Sequence, residues 1–417
     1  MRWTRAGHDV TVVTCVPNCP DGVVFDGYRN RFRPQVEQAD GVRVVRVWTL
    51  VAPNAGTLRR IANYVSYMLS AVLASLWLPR PDVIVATSPQ FFCGWAGVLA
   101  AKFRRRPLVL EIRDIWPESI EAVGAMRNRR LLRLLEWMER RMYRAADQIV
   151  AVGNGYRDNI LGKIEPRRPI EVITNGVDLS LFAPRDPDRE FLREWNLEGK
   201  FVCSYIGTIG MAHGLQVVVE AARILKEEKR DDIRFVLVGD GADRKRLEEE
   251  ARRLGVDDMV VFTGRQPKQR MPGILASSDA CLIHLRGCEL FGTVIPSKIF
   301  ETMAMGRPII MGVQGEACDM VLDADAGLEM EPDSVESLVQ CVEKLADDPA
   351  SAFAHGTAAR AYVAEHFNRD RLADRMRRVL EAVGGRPTRE AAVEAEATVA
   401  EEQPAEPPVG AMGRSRR

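Results

Sequence analysis

Strand-like apolar runs alternate with helical patterns along nearly the whole chain, and that alternation constrains the fold more than any other feature. It is the sign of parallel sheets built from β-α-β units. In the first half the runs are VTVVT, VRVVRV, DVIVATS, PLVLEI, QIVAVG and IEVITNG. After Gly176 comes VDLSLFAPRDPDREF, rich in Pro and Asp, which reads as a linker. A second series then begins with FVCSYIG, RFVLVGDG, MVVFTG, ACLIHL and RPIIMG. The economical reading is two doubly wound α/β domains joined near residue 178. The 417 residues allow this, since a single core stops growing near ~250–300 residues.

The first domain is expected over 1–178 and the second over 179–366, with a helix at 367–385 packing back on the first. Residues 386–417 are Ala, Glu and Pro with hardly any large apolar side chain. Such a segment cannot bury enough surface to offset its ordering entropy, so a disordered tail is expected.

Lys plus Arg equals Asp plus Glu at 58 each, so no global field attracts nucleic acid. Cys15 and Cys19 are the one close pair among eight cysteines. No second pair with zinc spacing follows, and no metal is expected. Scattered cysteines fit a reducing, cytoplasmic compartment.

Two helical stretches of the first half stand out. Residues 61–78, IANYVSYMLSAVLASLWL, carry no charge. Their length is at the lower limit for a bilayer span, and a strand follows at once, so burial between sheet and neighbours is the favoured reading. An interfacial helix is the next. Residues 127–144 hold seven arginines against Glu136 and Glu139, with Leu131, Leu134, Leu135, Met138 and Met142 on one stripe. A one-signed charge excess with Trp137 and Tyr143 fits an anionic membrane surface as well as a solvated face.

The motifs that carry chemistry lie in the second half. GDGADR, after the run ending at Val238, lacks the third glycine of a dinucleotide fingerprint, which leaves a tight strand-to-helix turn. GTIGMAHG places Gly207 and Gly210 after the first strand of the second domain, where backbone N–H groups can approach an anion. His213 lies beside the following helix start and could donate to a phosphate. In IPSKIFE, Pro296 fits a helix start and Ser297 its cap. Lys298 in a first turn opposes the helix dipole unless an anion lies in front of it. Glu301, one turn on, suits sugar hydroxyls. The plain alternative is a Lys–Glu pair across three residues, worth ~0.2–0.5 kcal/mol.

In combination and order, EIRDIWPES, ITNGVDLSLFAP, GTIGMAHGL, VGDGADRKRLEEEARRLG, FTGRQPKQRMP and PSKIFETMAMGRPII resemble family 4 of the retaining glycosyltransferases. The likeness is to the bacterial subgroup of O-antigen N-acetyl-L-fucosamine transferases, and it runs from Gly7 to about Gly385. The resemblance implies a GT-B fold, with two Rossmann-like domains facing across a cleft that holds a nucleotide-sugar. Carried over by position, Glu301 would accept from the ribose hydroxyls, and the Ile295–Ser297 loop, with Pro296 and Ser297, would serve the diphosphate. Gly207, Thr208 and Gly210 would face the phosphates, and Arg265 and Gln266 would border the base. Arg113 and Asp114 would bring acceptor-side and catalytic groups, Arg113 touching phosphate or Asp114. No cofactor or metal is implied. The acceptor would be an undecaprenyl-diphosphate-linked saccharide at the inner leaflet of the cytoplasmic membrane, with the protein held there peripherally.

The chain departs from the family at three places. Thr293 stands where the earlier of two glutamates is usual, with Glu289 out of register. Thr208 and His213 stand where an arginine and a lysine usually clamp the diphosphate, so Lys298, helped by His213, is expected to supply the positive charge. The family's first strand and glycine loop have no counterpart, and the natural protein is expected to begin about 20–30 residues upstream, the reach of one β-α unit. A nucleotide-sugar 2-epimerase of similar fold, or an inactive nucleotide-sugar-binding subunit of a polysaccharide assembly complex, are the alternative functions.

Overall fold

The computed structural model describes residues 1–18, 22–52, 57–88, 90–119 and 128–385. Cys19, Arg127 and the 386–417 segment lie outside these. The elements of the first half are α1 (Arg2–Arg5), β1 (Thr11–Cys15), β2 (Gln35–Ala39), β3 (Val42–Val47), α2 (Thr57–Trp77), β4 (Ile84–Ser88), α3 (Phe91–Arg104), β5 (Leu108–Ile112), α4 (Arg129–Ala145), β6 (Gln148–Ala151), α5 (Asn154–Lys163) and β7 (Glu171–Val172). The second half continues with α6 (Arg189–Glu194), β8 (Phe201–Ile206), α7 (Gln216–Glu227), β9 (Ile233–Val238), α8 (Arg244–Arg253), β10 (Val260–Gly264), α9 (Met271–Ala276), β11 (Ala280–His284), α10 (Lys298–Ala304), β12 (Ile309–Gly312), α11 (Glu316–Asp323) and β13 (Gly327–Glu329). Three helices close it, α12 (Val335–Asp347), α13 (Pro349–His366) and α14 (Arg369–Gly384).

The second series forms one six-stranded sheet in the order β10-β9-β8-β11-β12-β13. All its pairs are parallel. Strand order reverses between β8 and β11, which opens a crevice at their carboxyl ends. Strands such as VLV and LIH are buried on both faces, as a parallel sheet covered by helices requires.

The first half differs. Its strands fall into two sheets, β4-β5-β6-β7, all parallel, and a smaller β1-β3-β2. Among the described residues β1 pairs only with β3, and β4 only with β5. Val12 on β1 is 42% exposed and Val85 on β4 is 39% exposed. β2 was not foreseen in the sequence, because QVEQA is nearly all exposed and shows no apolar face.

Helix α14 lays Leu372, Met376, Val379, Leu380 and Val383 against Val109, Val150, Ile173 and Trp3. The chain thus returns from the second sheet to the first. Arg2 reinforces this return through Asp178 at 3.0 Å and through Asp370.

The two unusual helices need correction. Helix α2 buries Ala71, Val72 and Ala74 against Val45 and Val47 of β3, but Leu69, Leu73, Leu76 and Trp77 are exposed, the last at 90%. It is therefore half-buried and not enclosed. Among the described residues no helix is long and apolar enough to cross a membrane. In α4 the inward stripe is Leu132, Leu135, Glu139, Met142 and Tyr143. Leu134, expected on that stripe, is exposed together with Trp137.

Candidate active site

The crevice floor is built where β8 gives way to its loop. Gly207 and Gly239 have φ of +150° and +145°, and a β-carbon on Gly239 would collide with the Gly207 carbonyl. The loops after β8 and β9 can therefore stack only if both positions are glycine. Backbone bonds lock the stack: Gly207 N–H donates to Val238 at 2.9 Å, Ile209 to Asp240 at 3.0 Å and Gly239 to Gly264 at 3.0 Å. The GDG turn thus serves the neighbouring loop by close approach.

Lys298 opens α10 beside this loop. Its amine nitrogen is buried and has no hydrogen-bond partner. It sits 3.7 Å from the centroid of the Tyr205 ring, and a β-carbon on Gly207 would lie 3.0 Å from it. Burial pushes the Lys298 amine down to about 7. Glu301, one turn along, forms no ion pair with it among the described residues, so the plain Lys–Glu pair is not what the sequence pattern encodes. The Glu301 carboxyl is held above its ordinary value by burial, against the pull of Arg369 and Lys268. Ser297 does not cap the helix: its φ of −60° is already helical and its side chain makes no cap bond.

His213 needs a further correction. Burial, with Lys298 nearby, pushes its imidazole down to about 4. At neutral pH it can donate or accept a hydrogen bond but adds no positive charge. Its Nδ1 is buried and unpartnered, and its ring meets Tyr205 edge-on at 5.8 Å. Thr208 is exposed at the loop tip, where its carbonyl accepts from the Tyr205 hydroxyl at 2.8 Å. Gly210 follows, and its carbonyl accepts from His213 N–H at 3.0 Å.

His284 at the end of β11 escaped notice in the sequence, and a lone histidine in an apolar run gives no signal. Its Nδ1 bonds the His213 carbonyl at 2.7 Å, and its Nε2 accepts from Asp333 N–H at 3.0 Å. The imidazole is therefore neutral with its proton on Nδ1. It ties the phosphate-side loop to the segment after β13.

Arg265 and Gln266 follow β10 on the same rim. Gln266 donates to Thr263 at 3.3 Å and accepts from Arg270 at 3.5 Å. Lys268, three residues past Arg265, lies near enough to act on the Glu301 carboxyl. The ribose and base candidates therefore share one side of the crevice.

Across it stand the strand ends of the first half. Asp114, after β5, has its carboxyl raised by burial, with the Ser119 hydroxyl and Ile115 N–H opposing. Arg113 donates to Asn175 at 2.6 Å and to Glu111 at 3.4 Å, and among the described residues it forms no ion pair with Asp114, which leaves the phosphate contact as its other expected role. Glu316 at the start of α11 reaches over to α5, accepting from Asn154 N–H at 3.1 Å, its side-chain amide at 2.7 Å and Gly155 N–H at 3.1 Å. A carboxylate at a helix start is favourable, and here it comes from the opposite domain. Among the described residues no cluster of three or more His, Cys, Asp or Glu could hold a metal ion.

Both halves of the chain match known protein families. The model described as "Glycosyl transferases group 1" matches residues 187–362, and the "Glycosyl transferase 4-like domain" matches residues 2–176. The chain belongs to the family 4 glycosyltransferases. This glycosyltransferase is 26% identical over 387 residues to the protein named for colanic acid biosynthesis, WcaI, of Escherichia coli (strain K12), covering 89% of this chain and 92% of that one. Its fold is similar to sucrose-phosphate synthase from Thermosynechococcus elongatus, with a TM-score of 0.71, 17% identity and coverage of 92% and 90%. It is also similar to HepE of Anabaena in complex with UDP and glucose, with a TM-score of 0.65, 21% identity and coverage of 82% and 86%. The fold is GT-B, two Rossmann-like domains facing across a cleft.

Proposed function

We propose that this glycosyltransferase moves a sugar from a UDP-linked donor to a lipid-linked saccharide in cell-surface polysaccharide biosynthesis, with retention at the anomeric carbon. The observation that carries the donor half is the buried, unpartnered Lys298 amine beside the glycine-lined β8 loop. Bond cleavage gives an oxocarbenium-like sugar and leaves charge on the departing diphosphate, which fixed donors stabilise. Lys298 and the backbone N–H groups from Gly207 to Gly210 take that role, with the Ile295–Ser297 loop beside them. Glu301 accepts from the ribose hydroxyls, Arg265 and Gln266 border the base, and His213 donates a neutral hydrogen bond. Asp114 orients the acceptor hydroxyl from across the crevice, with Arg113 behind it. These donors can neutralise the diphosphate without a tethered metal. The UDP preference is supported by the UDP and glucose bound to HepE, and the polysaccharide setting by the name of WcaI.

The lipid-linked acceptor is supported by one layer of three adjacent helices. Helix α3 lies between α2 and α4, contacting both. Exposed apolar side chains occur on each: Leu69, Leu73, Leu76 and Trp77 on α2, Phe103 on α3, Leu134 and Trp137 on α4. Arg129, Arg130, Arg133, Arg140, Arg141 and Arg144 are exposed on α4, and none forms an ion pair among the described residues. Arg141 stacks on Trp137 at 5.3 Å, and the two line an open pocket of about 390 Å³ with Arg144. Arginines beside tryptophan suit an anionic leaflet.

The test screens nucleotide-sugars against lipid-linked acceptors. Product formed only when both are present supports the reading. Conversion of a nucleotide-sugar alone into its 2-epimer, or binding with no turnover, contradicts it. In the same preparation, binding to anionic vesicles is expected at ~20 mM salt and largely lost at ~0.5 M, where screening shortens to a few ångströms. Equal binding at both removes the electrostatic part.

A further inference from the structure

Tyr205, one residue before the end of β8, touches both parts of the donor site. Its hydroxyl donates to the Thr208 carbonyl at 2.8 Å, which shapes the loop. Its ring lies under the Lys298 amine at 3.7 Å. Among the described residues Cys281 is the one titrating group that pulls the amine back up, and no carboxylate does so. From β11, Cys281 is pushed up to about 11 by burial and is therefore a neutral thiol, and His284 is held neutral. From the turn after β8, His213 is neutral as well. The Tyr205 hydroxyl is raised by burial and is not a phenolate.

An ammonium over an aromatic face is attracted by the negative face of the ring, but only modestly. Taking an ion out of water costs more than that when no hydrogen-bond acceptor replaces the water. Desolvation wins, which is why the amine titrates at about 7 instead of its ordinary value. A polyanion placed beside Gly207 would reverse the balance, since it supplies both the acceptors and the opposite charge.

We propose that Tyr205 is the positioning residue of the donor site, storing the Lys298 amine over its ring and pinning Thr208, so that a diphosphate binds beside Gly207 together with a proton. The proton comes from solvent and ends on Lys298 Nζ, which then leaves the ring for the phosphate oxygens. The inference rests on the donor reading given above.

The experiment follows lysine 13Cε resonances of the whole protein against pH, with Lys298→Met identifying the signal, and measures UDP binding by calorimetry in buffers of differing ionisation heat. Free Lys298 is expected to titrate within about a unit of neutrality, and with UDP to titrate at least ~2 units higher. At pH ~8, midway between those two values, wild type then takes up roughly 0.8 proton per UDP bound, and Lys298→Met takes up none. Tyr205→Phe keeps the ring and so keeps the proton uptake, while losing the Thr208 bond weakens UDP binding by roughly 5- to 10-fold. A merely structural Tyr205 would not separate these two readouts. Lys298 titrating near 10 in the free protein overturns the proposal, as does equal proton uptake by Lys298→Met. Failure of UDP to bind at all overturns the donor reading and the linkage, while the free titration still reports on the stored amine by itself.

Discussion

Replacing Lys298 by methionine is expected to lower kcat on the order of 100- to 1,000-fold, the usual loss when one preorganised donor is removed from a developing anion. The same change is expected to raise stability near neutral pH. Methionine fills the space over Tyr205 and carries no charge to desolvate. The sign follows from proton binding. Below about 7 the folded and unfolded chains both hold a charged lysine, and the folded state bears the full burial cost. Between that value and the ordinary lysine value near ~10.4 the unfolded chain binds more protons, so wild-type stability rises with pH. The advantage of Lys298→Met should therefore be on the order of 2 kcal/mol at pH ~6 and fade as the pH rises toward ~10. Thermal unfolding across pH, paired with initial rates, measures both halves. A variant that loses activity and stability together would mean that Lys298 is structural.

Lys163→Met should cost about 3–5 kcal/mol of folding stability, the largest single loss expected outside the hydrophobic core. Glu139 on α4 is 0% exposed. It accepts from Lys163 of α5 at 2.8 Å and from the Tyr143 hydroxyl at 2.7 Å. Lys163 also reaches Glu118 at 3.0 Å. Burial already holds the Glu139 carboxyl above its ordinary value despite Lys163. Removing the lysine leaves an uncompensated buried carboxylate, whose pKa must rise further. In that state the folded chain binds more protons than the unfolded one above the ordinary carboxyl value, so the loss shrinks as pH falls. Chemical denaturation of Lys163→Met should thus show a smaller deficit at pH ~5 than at pH ~8. Glu139→Gln in the same background should recover part of it, because the charge is gone.

Five of the six strands of the second domain were legible as apolar runs, most of them buried on both faces and several closed by glycine as in RFVLVGDG, while the three-residue β13 was not read. The same signal failed for β2, whose exposed QVEQA shows no apolar face and joins β3 through backbone pairing and the Arg46–Glu37 ion pair. The division of the first domain into two sheets was not readable either, since strand partners depend on long-range pairing. In the candidate site, PSKIFE and GTIG announced themselves by charge and glycine placed after strands. Tyr205 and His284 did not, because a tyrosine or histidine inside a buried strand looks the same whether it packs or positions. Glu139 looked like part of a charged face. Only the direction of its helix turn, set by Leu132 and Leu135 packing inward, shows that it is buried with Lys163.

The most direct measurement is a crystal structure of the protein with the nucleoside diphosphate of whichever donor turns over. The diphosphate should lie within hydrogen-bond reach of Lys298 Nζ and the Gly207–Gly210 backbone, with the amine off the Tyr205 ring and the ribose hydroxyls on Glu301. A nucleotide bound elsewhere, with Lys298 still over Tyr205, would contradict it.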